Sequence, residues 1–262
     1  MSIPVRPGAA RPATSPGTPD PLAPLLDLPG VREASDAARA GIDRLLRHKV
    51  LRRESAGVST ESALRGARAS AALEGVDVPL AVLRAGDFTD PVVQGAVRVS
   101  AGLGSMVETW SRAPGQVLAR LHLLAAADLV DRGELGRPAP HAGPRLSGLF
   151  SLVTGTTTAP AVLVAALVHG ELAALSPFGS ADGVVARAAG RLTGITRGLD
   201  PKAVSVPEVG FAELGRDAYA AALAGYASGT PDGVAGWLVH CCRATEHGAV
   251  EGLAICESLL RG

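Results

Sequence analysis

The stretch Leu175–Arg187, LSPFGSADGVVAR, decides how this chain is read. Pro177 disfavours helical backbone at Ser176, so an apolar helix ends there. Gly179 and Gly183 allow tight turns. A second helix restarts at Asp182 or Gly183, and its first turn presents backbone N–H groups without helical acceptors. Such a loop can hold an anion, commonly a phosphate. Arg187 lies one turn beyond Gly183 on the same face, and helical side chains lean toward the N-terminus, so it reaches back to the loop. The plainer alternative is a helix–loop–helix connection in which Asp182 or Ser180 caps the helix and Arg187 pairs with a surface acid.

Outward from this loop the apolar residues recur at helical spacing. Helices are expected over 31–53 with Ile42, Leu45 and Leu46 inward, and over 59–73 with Ser59 or Thr60 as N-cap and Gly75 as the stop. Further helices are expected over 91–111, 116–130, 160–175, 183–196, 213–228 and 232–260. Residues 133–158 are dense in Gly, Pro and Thr and read as loop, with a short β-hairpin around 148–154. Residues 1–30 are rich in Pro, Ala, Ser, Thr and Gly, which predicts a disordered tail. The expectation is an all-α protein: a tail over 1–30, then one helical domain over 31–262.

The 262 residues carry zero formal net charge, which supplies no argument for nucleic acid or an anionic membrane as partner. Lys occurs only at Lys49 and Lys202 against many Arg, a bias that suggests a G+C-rich bacterial source. Cys241, Cys242 and Cys256 have no disulfide-framework spacing. The most apolar run, 159–168, is too short to span a bilayer, and the N-terminus lacks a basic-plus-apolar leader. A soluble cytoplasmic protein is expected, with a homo-oligomer left open. His240 and His247 share a helix with the cysteines, but their spacing does not suit zinc, and core packing is the expectation. Arg65, Arg68 and Arg191 read as a solvated face or as phosphate contacts.

The loop resembles the signature of the Fic (Fido) family, His-Pro-Phe-x-Asp/Glu-Gly/Ala-Asn-Gly-Arg-x-x-Arg, laid on residues 176–187. Pro177, Phe178, Ala181, Gly183 and Arg187 match it. SAALEG, Ser70–Gly75, resembles the family's inhibitory helix motif, here the end of a helix over 59–75. Residues 116–138 resemble the helix that leads into the family's flap. Arg216, Tyr219 and Leu223 resemble its C-terminal Arg-x-x-Tyr-x-x-x-Leu helix. The resemblance implies a helical domain that moves AMP from ATP, with Mg²⁺, onto a Ser, Thr or Tyr hydroxyl of a protein target. It implies that the motif His is the general base, that the motif acid holds Mg²⁺, and that the Asn and both Arg hold phosphates. It also implies that the inhibitory Glu, here Glu74, pairs with the second Arg, here Arg187.

The chain departs from the pattern where the chemistry sits. Ser176 replaces the base, a loss that typically costs about 10²–10⁴-fold in rate. Ser180 replaces the Mg²⁺ carboxylate. Val184 replaces the first Arg, removing a charge-assisted contact of roughly 1.5–3 kcal/mol. Asp182 puts a negative charge at the Asn position. His169, seven residues before Ser176, lies roughly 10 Å away along a helix and is read as packing. Glu74 ends a helix, where the macrodipole disfavours an acid by roughly 0.3–1 kcal/mol, which suggests a cationic partner. Arg187 is the partner the resemblance names; Arg68 and Arg84 are the alternatives. Two functions follow. One is a catalytically impaired, partner-binding or nucleotide-sensing protein, with Gly179, Ser180, Gly183 and Arg187 around phosphate and Ser70 and Glu74 regulatory. The other is an active adenylyltransferase in which Asp182 takes over a role and Glu74 is the brake.

Overall fold

The computed structural model describes residues 20–261. Among these residues there are twelve α-helices and no strand: α1 (Val31–Leu46), α2 (Ser55–Leu73), α3 (Leu80–Ala85), α4 (Pro91–Gly102), α5 (Val107–Trp110), α6 (Pro114–Ala126), α7 (Gly143–Thr154), α8 (Ala161–Leu175), α9 (Asp182–Thr196), α10 (Pro207–Leu214), α11 (Arg216–Ala227) and α12 (Pro231–Arg261). Short 3₁₀ turns stand at Ala23–Asp27, Lys49–Arg52, Leu103–Met106 and Pro140–Ala142.

The all-α class is as expected, and the hairpin is not. Residues 148–154 are helical, because Gly143 and Pro144 open a helix whose stripe Leu146, Leu149 and Val153 is buried. Several boundaries also move. The helix from Val31 stops at Leu46, with Leu46 itself only half-buried, and the chain re-enters as a 3₁₀ turn. Helix α2 starts at Ser55, so Ser59 and Thr60 lie inside it, and the Thr60 hydroxyl donates to the Ala56 carbonyl. The 91–111 segment breaks at Gly102, and 207–227 is two helices divided by Gly215 at φ +96°. Residues 1–19 of the expected tail lie outside the described residues. From Asp20 the chain is ordered: the Asp20 carboxylate accepts from the Leu22 N–H, the Thr158 N–H and the hydroxyls of Thr157 and Thr158. No helix among the described residues is long and apolar enough to cross a membrane.

Helix α8 is apolar on every side, the pattern of a helix surrounded by others. It contributes to both hydrophobic cores. One core joins it to α1, α10, α11 and α12 through Ile42, Leu45, Leu163, Trp237, Leu238 and Ile255. The other joins it to α4, α5, α6, α7 and α9 through Val93, Met106, Trp110, Leu121, Leu172 and Leu192. Helix α9 follows α8 back through the centre and is buried from Val184 to Ile195. The loop singled out in the sequence is the connection of this central hairpin.

Two glycines test how the helices pack. At Gly210 a methyl group would collide with the Ala244 carbonyl oxygen, because α10 and α12 cross backbone to backbone. At Gly236, exposed on α12, a methyl group meets nothing within 4 Å. Chemical denaturation is expected to show Gly210→Ala losing about 1–3 kcal/mol and Gly236→Ala gaining about 0.5–1 kcal/mol. Equal effects at the two positions would contradict the crossing.

Candidate functional site

The connection between α8 and α9 is wound tightly. Ser176 (φ 45°), Gly179 (φ 72°) and Ala181 (φ 51°) all take left-handed backbone, which costs a non-glycine residue roughly 1–2 kcal/mol. The polar groups of the loop hold it in that shape. The Ser176 hydroxyl donates to the Ala173 carbonyl at 3.1 Å. Asp182 Oδ1 accepts from the Phe178 N–H at 3.0 Å. The Ala139 N–H donates to the Pro177 carbonyl at 2.8 Å, pinning the incoming 133–142 segment to the loop. Burial raises the Asp182 pKa, with the Glu74 charge adding to the rise and the Phe178 and Gly179 N–H groups opposing it.

Helix α9 begins at Asp182 with no side chain capping it from Ala181. Negative charge arrives there from α2. The Glu74 carboxylate lies so close to Gly183 that any side chain at that position would overlap it. Glycine at 183 is therefore a steric requirement, and the acid sits at the positive end of the α9 dipole. Glu74 Oε1 accepts from Arg187 Nη2 at 2.7 Å. Arg187 is almost fully buried, its side chain 2% exposed against 30% for Glu74. Its Nε donates to Ser70 Oγ at 2.9 Å and its Nη2 to the Ser70 carbonyl at 3.0 Å. The other cations near Glu74 in the sequence are engaged elsewhere, Arg68 with Asp77 and Arg84 with Glu61.

The pairing extends along both helices in antiparallel register. Gly66 and Ser70 on α2 and Glu74 at its C-cap recur every four residues and face Arg191, Arg187 and Gly183 on α9. A methyl group at Gly66 would lie 2.8 Å from Arg191 Nη1. Arg191 is buried and pairs with buried Glu208 at 3.1 Å, while its Nη2 donates to the Ser205 carbonyl at 3.0 Å. The expectation of a solvated or phosphate-binding Arg191 is thus corrected: the helix interior holds it. Arg65 is likewise engaged, with Glu61 and Glu251.

Behind Arg187 stands an aromatic wall. The Tyr219 hydroxyl lies beside the Arg187 guanidinium and 2.8 Å from His169 Nε2. Burial pushes the His169 pKa well below its ordinary 6.5, and the Arg187 charge pushes the same way. The rings of Phe211 and Trp237 pack edge-on against it, each centroid 5.0 Å away. A cavity of about 50 Å³ on the inner side of Arg187 and Arg191 has room for water but not for a nucleotide.

One residue of the site was not anticipated. His122, on α6, is buried and stacks flat on Phe178, with ring centroids 4.1 Å apart. Its Nδ1 accepts from the Gly136 N–H at 2.9 Å, and its Nε2 is 3.0 Å from Ser180 Oγ. The available signal was a histidine inside the buried stripe Leu118, Leu121, His122 and Ala125. The pair looks like a nucleophile and its base but is wired the other way. A backbone donor on Nδ1 places the neutral ring's proton on Nε2, so the imidazole donates to Ser180 and cannot accept its proton. Burial lowers the His122 pKa, with a hydrogen bond to the Ser180 backbone opposing.

Position 180 brings no carboxylate for a magnesium ion: Ser180 supplies a hydroxyl held by His122, and the loop's carboxylate, Asp182, accepts from the Phe178 N–H through Oδ1. No group of three or more His, Cys, Asp or Glu among the described residues is placed to hold a metal ion. The histidines and cysteines of α12 form none either: His247 pairs with Glu213, and the three thiols are buried, with burial raising their pKa values.

No family model matches this sequence, and no curated protein matches it. Solved structures do. A Fic family protein from Desulfovibrio desulfuricans G20 matches 84% of this chain and 74% of its own, at 21% identity and a TM-score of 0.66. Fic-1 from C. elegans matches 87% of this chain and 73% of its own, at 17% identity and a TM-score of 0.68. A point variant of Fic-1 matches 85% and 71%, at 19% identity and a TM-score of 0.63. The chain has the Fic fold.

The neutral, buried His169 predicts acid sensitivity. Below about pH 6.5 the unfolded chain takes up a proton that the folded chain refuses, so stability falls as pH is lowered. Denaturant titrations between about pH 7.5 and 5.5 should show this fall, with a shallower slope for His169→Gln. An unchanged slope in that variant would remove His169 as the cause.

Proposed function

We propose that this Fic-fold protein binds a nucleotide phosphate at the start of α9 and does not transfer AMP, acting as a nucleotide-sensing, partner-binding pseudoenzyme. The observation that carries this reading is the Glu74 carboxylate seated between Gly183 and Arg187. A buried guanidinium, a glycine that leaves the approach open and the N-terminus of a central helix form a receptor for an anion, and the chain supplies one of its own.

For transfer, a target hydroxyl needs a base. Ser176 has no suitable pKa, and its hydroxyl is turned to the Ala173 carbonyl. For sensing, a phosphate must displace Glu74 from Arg187. Because Glu74 ends α2, displacement frees that helix end, and a protein partner can read the change on its outer face. The population in which Glu74 has withdrawn sets the apparent affinity, so the latch lowers it by that fraction.

A second reading has one observation in its favour. Burial and Glu74 raise the Asp182 pKa, which suits a weak general base for an adenylyltransferase restrained by Glu74.

Calorimetric titration with ATP, for the wild type and Glu74→Gly, tests the proposal. The variant is expected to bind about 5–150-fold more tightly. With α-phosphate-labelled ATP, a divalent cation and lysate, neither protein should label a target. Label transfer that disappears in Asp182→Ala would overturn the proposal in favour of the second reading. Absence of ATP binding by either protein would overturn both.

A further inference from the structure

The Fic resemblance implies a carboxylate at position 180 and a divalent cation between it and the phosphates. The loop disagrees, and the disagreement has a chemical direction. His122 Nδ1 is occupied by the Gly136 N–H, so the neutral ring carries its proton on Nε2 and donates it to the Ser180 oxygen. A hydroxyl oxygen that accepts this bond keeps its own proton for another acceptor. The ring cannot rotate away, because it lies parallel to Phe178 within 4° and is 1% exposed. The position that would hold a metal ligand, an anion, instead holds a fixed donor. The loop's own carboxylate, Asp182, is turned toward the backbone, its Oδ1 accepting from the Phe178 N–H.

We infer that this loop takes its phosphate directly, without a divalent cation, and that Ser180, held as a hydrogen-bond donor by His122, contacts the anion beside Arg187. The inference rests on the nucleotide-binding reading above and adds to it the chemical state of the ligand: metal-free ATP. His122 is a positioning residue in this arrangement and does not touch the anion. It joins α6, the 133–142 segment and the loop, so its ring ties Ser180 to the same frame that pins Pro177 through Ala139.

The experiment measures ATP binding by calorimetry to Glu74→Gly, in which the internal carboxylate is gone, in excess EDTA and again in excess Mg²⁺. Affinity in EDTA is expected to equal or exceed that in Mg²⁺. Adding Ser180→Ala should weaken binding in EDTA by roughly five- to tenfold. His122→Phe keeps a ring against Phe178 and should weaken it by a similar factor. Combining the two should cost no more than either alone, since they remove one interaction; a purely structural role for His122 would instead add to the loss. Ser180→Asp should reverse the preference, binding in Mg²⁺ and failing in EDTA. Binding by the Glu74→Gly parent only in Mg²⁺ would overturn the inference and leave the nucleotide reading standing. Full affinity for Ser180→Ala in EDTA would overturn the role given to Ser180. Absence of binding in both buffers would overturn the nucleotide reading itself.

Discussion

The organising constraint is the burial of Arg187. A guanidinium removed from water in the middle of the molecule must find its counter-charge and hydrogen-bond partners inside. Ser70 provides two oxygens and Glu74 a carboxylate oxygen. Both come from α2, so α2 is locked in direction and register against α9. Tyr219 closes the other side and brings α11 in, with His169 of α8 behind it. Four helices are therefore positioned by one side chain, and the site is the place where they meet.

The register along α2 and α9 repeats this logic one turn further on. Arg191 is also buried, and its partners come from α10 and the segment before it. Gly66 on α2 makes the room for it, as Gly183 on α9 makes the room for Glu74. The two ends of the row differ in a way that matters. The Arg191–Glu208 pair is closed off on both sides, whereas Glu74 remains partly exposed and belongs to a helix end. Only the Glu74 end can open without taking the core apart.

The loop between α8 and α9 makes the same point about polar groups. Ser176, Ser180 and Asp182 each bond within their own surroundings, and three left-handed residues hold the backbone in its turn. At the start of α9 the Glu74 carboxylate stands against Gly183 and pairs with Arg187. Shape for an anion is retained, while the groups that would perform transfer chemistry serve the loop itself.

Sequence by itself determined the helical class, most helix positions, the loop and its Pro, Gly and Arg punctuation, and the pairing of Glu74 with Arg187 through the family resemblance. These depend on local periodicity and on residues whose backbone preferences act within a few positions. Only the tertiary structure decided the rest. Helix α7 looked like loop because Gly, Pro and Thr cluster around it, but burial of Leu146, Leu149 and Val153 outweighs their weak local preferences. The ordering of Asp20 depends on Thr157 and Thr158, more than a hundred residues away. His122 entered the site because packing laid α6 beneath Phe178, and its tautomer is set by the N–H of Gly136. A proton's position on a ring follows from which partners surround it, and those partners are neighbours only in the folded chain.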